Sequence, residues 1–393
     1  MKNWKYKRLS ECSNFISERT SNITIDNYIS TENMIENRGG VKIASTLPDV
    51  KSTSAYKPND ILLSNIRPYF CKIWFADKKG SCSNDVLVVR AKKEIDPKFL
   101  YYVLSDQNFF NWDSMTSKGT KMPRGTPNAI MKYSVPDIPF HTQQKIASIL
   151  SAYDDLIQNY KKQIEALQTT ASELYKEWFV RFRFPGYKNS RFENGIPEGW
   201  KIERIGNIGE VIGGGTPSTE NEEYWDGDIP WLSPVDLSDN TNVYVSRGGK
   251  NITKLGLQKS SAKMMPKDTV LLSSRAPVGY VALAKNPICT NQGFKSVVCN
   301  TSVIQPIYLY FYFRMNKNYL QSIASGATFP ELSGSMMKKL KVLLPQMELQ
   351  KEFSKKANIF ISKAELLSEQ ITNLTQQRDL LLPRLMRGAL EVH

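Results

Sequence analysis

The sequence predicts an α+β chain in which one plan is used twice: a globular α+β domain followed by a long helix, then a second domain and helix. Three observations carry that expectation. Internal matches recur in the same order at an offset that begins at 196 and settles at 206 to 209, two heptad seams of equal length follow the two globular stretches, and an excess of positive charge lies mainly outside the seams. With 393 residues the chain suffices for two or three domains at roughly 150 residues each. Its 41% hydrophobic and 23% charged residues, with 22 Gly and 20 Pro, exclude a disordered or fibrous chain.

The first ten residues, MKNWKYKRLS, lack the apolar core of a secretory signal, and no stretch approaches the roughly 18 apolar residues of a membrane span. A cytoplasmic protein without membrane contact is expected. The repeat opens at once: Trp4-Lys5-Tyr6-Lys7-Arg8-Leu9 returns as Trp200-Lys201-Ile202-Glu203-Arg204-Ile205. Lys57-Pro58-Asn59-Asp60 through Ser64 matches Met265-Pro266-Lys267-Asp268 through Ser273, and Cys82-Ser83-Asn84 matches Cys289-Thr290-Asn291. Pro97 to Tyr101 matches Pro306 to Tyr310, Gly119 and Pro123 match Gly326 and Pro330, and Pro139 through Gln144-Lys145 matches Pro345 through Gln350-Lys351. Short apolar runs at Ile61–Ser64, Val86–Arg90, Val270–Ser273 and Ser296–Cys299 read as strands. Pro97–Leu104 and Pro306–Phe313 begin with proline and read as short buried helices.

From Ile146 to Trp178 apolar residues recur every four and three positions, a heptad seam that makes a helix of roughly 48 Å. The second seam, Phe353 to Leu385, lies 207 residues on; only Arg378 interrupts it, and Pro383 is expected to kink or end the helix. Two seams of equal register are expected to bury against each other as an antiparallel coiled coil with pseudo-two-fold symmetry. Arg183-Phe184-Pro185-Gly186-Tyr187 closes the first helix, and Asn194-Gly195-Ile196-Pro197-Glu198-Gly199 reads as a turn-rich hinge. The expected division is therefore 1–140 globular, 141–190 helical, 191–345 globular and 346–393 helical.

The formal net charge is +14. Its distribution over those four segments is +7, +2, +4 and +1, so the excess sits on the two globular domains. Such a distribution suits two equivalent surfaces for a phosphate backbone. Polar, Gly-containing loops at matched positions supply the candidate contacts. In the first half these are Asn65, Arg67, Asn84, Lys118, Thr120, Lys121 and Arg124; in the second, Thr216, Ser218, Ser274, Arg275, Asn291, Gln292, Lys295 and Thr328. Arginine can take guanine bidentately, Asn and Gln can take adenine, and hydroxyls and loop amides can hold phosphates. Arg67, Arg275, Asn291 and Gln292 are the leading candidates. For any one of them the plain alternative is a turn residue or a surface charge.

Catalytic chemistry finds little to stand on. The five cysteines have no CxxC spacing and His141 and His393 are the only histidines, which excludes most zinc and Ser/His/Asp arrangements; buried thiols in a reducing compartment are expected. Gly213 to Pro217 lacks the Gly-Lys-Ser/Thr of a phosphate-binding loop and reads as a backbone turn. Pro48-Asp49 with Asp77-Lys78-Lys79 resembles a nuclease carboxylate-lysine arrangement only loosely. A duplicated nuclease or methylase, and a coiled-coil scaffold without DNA function, are the rival readings.

The chain resembles the specificity subunit of a type I restriction-modification enzyme over essentially its whole length. The residues that carry the resemblance are Ile138-Pro139 with Gln143 through Ile157, Trp178 through Pro185, Pro197-Glu198-Gly199-Trp200, and Leu381 through Gly388. It implies two target-recognition domains and two conserved helical spacers, with no catalytic residue and no cofactor on this chain. It further implies double-stranded DNA as ligand, an asymmetric bipartite site read one half per domain, and assembly with two methyltransferase subunits and two translocase-nuclease restriction subunits. S-adenosylmethionine, ATP and Mg2+ are expected on those partners, which would methylate adenine N6 after flipping the base. A spacer of roughly 48 Å spans about 14 base pairs.

Overall fold

The structure is a computed structural model that describes residues 4–238, 240, 242–326 and 330–390. Met1–Asn159 groups with Thr372–His393 as one compact unit, and Tyr160–Ile371 forms the other. The helical segments at 141–190 and 346–393 are thus divided between the two units and form no body of their own.

In the first unit the Ile61–Ser64 run forms a strand between Val86–Ala91 and Ile73–Phe75, with Ser13–Phe15 on the far side of Val86–Ala91, all antiparallel. Every residue of Ile61–Ser64 is buried because the strand feeds two cores: Ile61 and Leu63 face one with Phe99, Phe109 and Ile146, and Leu62 faces the other with Tyr56 and Val88. A second sheet orders Arg19–Thr20, Thr53–Tyr56, Gly80–Cys82 and Tyr28–Ile29, the last pair parallel. Lys5–Arg8 pairs with Ser134–Asp137, so the start of the domain is tied to the residues just before the long helix.

The second unit repeats this plan. Val270–Leu272 lies between Lys295–Cys299 and Val281–Ala284, Gly209–Gly213 joins on the outer side, and Tyr244–Val245 adds a parallel edge. Val270 and Leu272 face one core and Leu271 the other. Lys201–Arg204 pairs with Lys341–Leu344 as Lys5–Arg8 does with Ser134–Asp137. The expected short helices are Pro97–Ser105 and Pro306–Met315, each with proline at its start; the first is capped by the Asp96 carboxylate, which accepts the Phe99 N–H at 2.8 Å. A three-stranded sheet of Lys250–Ile252, Trp225–Leu232 and Cys289–Thr290 was not expected, because Asp226, Gly227, Asp228 and Pro230 mask its apolar pattern. The Asn194-Gly195 segment, read as a hinge, is the two-residue turn of a hairpin between Phe192–Glu193 and Ile196–Pro197, with both turn residues at positive φ.

The first long helix runs Phe140–Tyr175, starting six residues before the seam, and passes into a π-helical turn at Lys176–Val180. That wider turn, not the continued α-helix expected to Trp178, places both Trp178 and Phe179 in an aromatic cluster with Phe353. The second long helix runs Met347–Met386. Pro383 lies inside it, three residues before its end, so the helix continues through the proline and stops within one further turn. Within each unit the helices run antiparallel. In the second, Ile164 packs with Ala364 and Leu367 while Trp178 meets Phe353; in the first, Ile146, Ala147 and Leu150 share a core with Leu382, Leu385 and Met386.

One matched pair of side chains joins domain to helix in both halves. Buried Gln143 accepts the Asp96 N–H at 2.9 Å and donates to the Ile138 carbonyl at 2.9 Å. Buried Gln350 accepts the Gln305 N–H at 3.0 Å and donates to the Pro345 carbonyl at 2.9 Å. The sequence match of Gln144 with Gln350 is therefore off by one: Gln143 is the equivalent residue, at the same 207-residue offset as the seams. All five cysteines are free, and burial pushes the Cys82 and Cys299 thiols up to about 12.

Candidate nucleic-acid interface

The three loop segments singled out in the first half are joined by backbone hydrogen bonds. The Asn65 N–H donates to the Asp85 carbonyl (2.8 Å), the Gly125 N–H to the Asn65 carbonyl (3.1 Å), and the Arg67 N–H to the Pro123 carbonyl (2.8 Å). Lys118 and Arg124 exchange N–H and carbonyl bonds at 2.9 Å, closing the segment between them into a protruding loop. Lys118, Thr120, Lys121 and Arg124 are exposed there, and so is Asn84 across the cluster. Arg124 pairs with Asp85 at 3.1 Å, and Asn84 accepts from Arg19 at 3.4 Å.

The second half builds the same frame. The Ser274 N–H donates to the Gly293 carbonyl (2.7 Å), the Leu332 N–H to the Ser274 carbonyl (2.9 Å), and Ser325 and Glu331 exchange backbone bonds (3.2 and 2.9 Å). Asn65 thus corresponds to Ser274, Arg67 to Ala276, and Arg124 to Glu331; Arg67 and Ala276 even share a left-handed backbone, at φ 50° and 52°. The frame is common and the side chains on it are not. Where the first half carries Arg124 against Asp85, the second carries Glu331 facing Lys295 at 3.3 Å and Arg275 at 4.0 Å. The Gly213 to Pro217 turn docks through the Gly215 N–H to the Thr290 carbonyl (2.9 Å) and the Thr216 hydroxyl to the Gln292 side chain. A Cβ on Gly214 would overlap the Asn291 carbonyl oxygen, so only glycine fits.

Two expected contact residues are absorbed by this frame. Ser274 is fully buried and its hydroxyl donates to the Gly293 carbonyl at 3.1 Å, which removes it from any ligand. The Asn291 side-chain oxygen accepts the Gly293 N–H at 2.9 Å, so it shapes its own loop. Lys295 is tethered by Glu331 and by the Gln292 carbonyl (3.4 Å), while Gln292 and Ser218 are exposed and Arg275 is half-buried. Thr328 and His393 lie outside the described residues.

Asp113 is not among the residues that the sequence marks as candidates. It is fully buried, neither carboxylate oxygen has a hydrogen-bond partner in the protein, and burial pushes its carboxyl up to about 7. A Cβ on Gly125 would overlap Asp113 Oδ1 and lie 3.0 Å from Asn65 Oδ1, so this carboxyl sits directly behind the loop frame. Asn65 Oδ1 and Arg67 Nε are likewise buried without a protein partner. The available signal was spacing: Asp113 stands three and four residues after Phe110 and Phe109, on the buried face of the Gln107–Thr116 helix.

Among the described residues no group of three or more His, Cys, Asp and Glu is placed to hold a metal ion, and no helix is long and apolar enough to cross a membrane. Residues 1–169 and 197–376 each match the family model for the type I restriction modification DNA specificity domain. The HindI specificity subunit of Haemophilus influenzae is 26% identical over 99% of this chain and 100% of that one. The MjaIX specificity subunit of Methanocaldococcus jannaschii is 44% identical over 179 residues, which is 45% of this chain and 41% of that relative's length. The crystal structure of a type I restriction-modification S subunit from M. genitalium shares the fold, with a TM-score of 0.61 at 18% identity over 100% of this chain and 97% of that one. With the family model matching both halves of the repeat, the chain belongs to the type I restriction-modification specificity subunits.

Proposed function

We propose that this chain is the DNA-reading, non-catalytic subunit of a cytoplasmic type I restriction-modification complex. It reads an asymmetric, two-part site on double-stranded DNA, one half per globular domain, and the paired helices act as spacer and as docking surface for two methyltransferase subunits. Two translocase-nuclease subunits would join for restriction, and S-adenosylmethionine, ATP and Mg2+ would be bound by those partners. The observation that carries this reading is the shared loop frame with exchanged side chains, Arg124 in one half against Glu331 in the other. A common frame supports a common mode of approach to the duplex, and unlike side chains support unlike half-sites.

The test is to map methylated adenines in a host carrying this chain and its methyltransferase. The expected result is a motif of two dissimilar halves around a gap of fixed length; a contiguous or palindromic motif would refute it. Purified alone with Mg2+ or with S-adenosylmethionine, the chain is expected neither to cleave nor to methylate DNA, and either activity would favour the duplicated-enzyme reading.

A further inference from the structure

The two helix seams are apolar throughout except at Arg378. In the first unit Arg378 meets Asp154 on the other helix, Nη1 to Oδ1 at 2.5 Å, and the Tyr102 hydroxyl donates to Asp154 Oδ2 at 2.6 Å. Arg378 also donates to its neighbour Asp379 at 2.9 and 3.0 Å. The Arg378 and Asp154 side chains are 16% and 29% exposed, so each charge is largely removed from water.

The repeat offsets locate the same three positions in the second unit: Asp154 becomes Ile361, Arg378 becomes Ala171, and Tyr102 becomes Phe311. All three are buried and line one small void. One site of the repeat is therefore polar in one half and apolar in the other.

We propose that Tyr102, Asp154 and Arg378 form a partner-selecting lock, which lets the first long helix accept the second long helix of its own chain and reject the first long helix of another copy. Consider two copies pairing like helix with like in the same antiparallel register. Asp154 of one copy would face Ala171 of the other, and Arg378 would face Ile361, leaving two carboxylates and two guanidiniums half-buried without each other. In the observed arrangement both ions are paired and the apolar residues meet apolar residues. The rest of the seam, apolar on both helices, cannot make that distinction, whereas one polar position in such a seam can set partner choice. Like-with-like pairing would also bring two identical reading domains together. That consequence rests on the bipartite reading proposed above; the pairing preference does not.

The test uses the full-length chain in two differently tagged copies, unfolded and refolded together at high protein concentration. Capture on one tag is followed by quantification of the other, with circular dichroism to establish folding. Linkage within one chain favours self-pairing in every variant, so each is read relative to wild type. In Arg378→Ala, Asp154 faces alanine in either arrangement and the preference vanishes. In Tyr102→Phe/Asp154→Ile/Arg378→Ala the first half carries the residues of the second, and the preference vanishes with neither ion of the Arg378–Asp154 pair left behind. Both variants are expected to give at least 10-fold more doubly tagged complex than wild type. Folded variants that mix no more than wild type overturn the lock. So does failure of the triple variant to fold, because the trio would then be holding the structure and not choosing the partner. A palindromic methylation motif with a positive mixing result would refute the bipartite reading and leave the lock standing.

Discussion

Replacing Asp113 by asparagine should change the pH dependence of stability in a way set by its burial. In the unfolded chain this carboxyl titrates near its ordinary value of 3.8, whereas in the folded chain burial holds it at about 7. Between those values the folded protein keeps a proton that the unfolded chain has lost. Stability therefore falls as pH rises through that window, at up to about 1.4 kcal/mol per pH unit, and levels off above pH 7. The loss accumulates to an upper bound of about 4 kcal/mol, undiscounted for solvent because the side chain is fully buried. The asparagine amide is neutral at every pH and of nearly the same shape as the carboxyl it replaces. The wild-type and Asp113→Asn curves should converge near pH 4 and separate steadily to pH 7, with the variant more stable. Urea unfolding from pH 4 to 8.5, followed by a probe in the first unit, measures that difference. Parallel curves would show that Asp113 ionises freely and that its burial behind Gly125 is misassigned.

Gln143→Leu and Gln350→Leu should each cost about 2–4 kcal/mol in chemical unfolding, since each strands a half-buried N–H and a buried carbonyl. A loss under about 0.5 kcal/mol at both would remove the domain-to-helix tie. Arg67→Ala should weaken DNA binding by about 1–3 kcal/mol and relax one half-site only, and Arg275→Ala the other, read by binding to duplexes altered in a single half. Equal effects on both halves would contradict one half per domain. Lys118→Ala/Lys121→Ala should weaken binding to all duplexes alike and reduce the slope of log affinity against log salt by about 2; an unchanged slope would place the phosphates elsewhere.

Parts of the fold that depend on neighbours in sequence were legible. Ile61–Ser64 reads as a buried strand because four consecutive apolar or small residues suit burial on both faces, and Pro97 and Pro306 mark helix starts because proline costs nothing at that position. The seams were visible from their spacing, although the π-turn at Lys176–Val180 was not, since it arises from packing Trp178 and Phe179 together against Phe353. Of the candidate contacts, the sequence could say that Ser274 and Asn291 belong to polar loops but not that the loops consume them.

The amino-acid order alone determined that this protein is one plan written twice, with two long helices and a charge excess on two globular domains, because periodicity, repeats and charge are properties of the chain itself. Only the tertiary structure decided that Gln143 is the partner in role of Gln350, that Arg124 faces Asp85 where Glu331 faces Lys295, and that Arg378 answers Asp154. Each of those relations joins groups far apart in the chain. A hydrogen bond or ion pair depends on atoms brought within about 3 Å by packing, and no local pattern carries that distance.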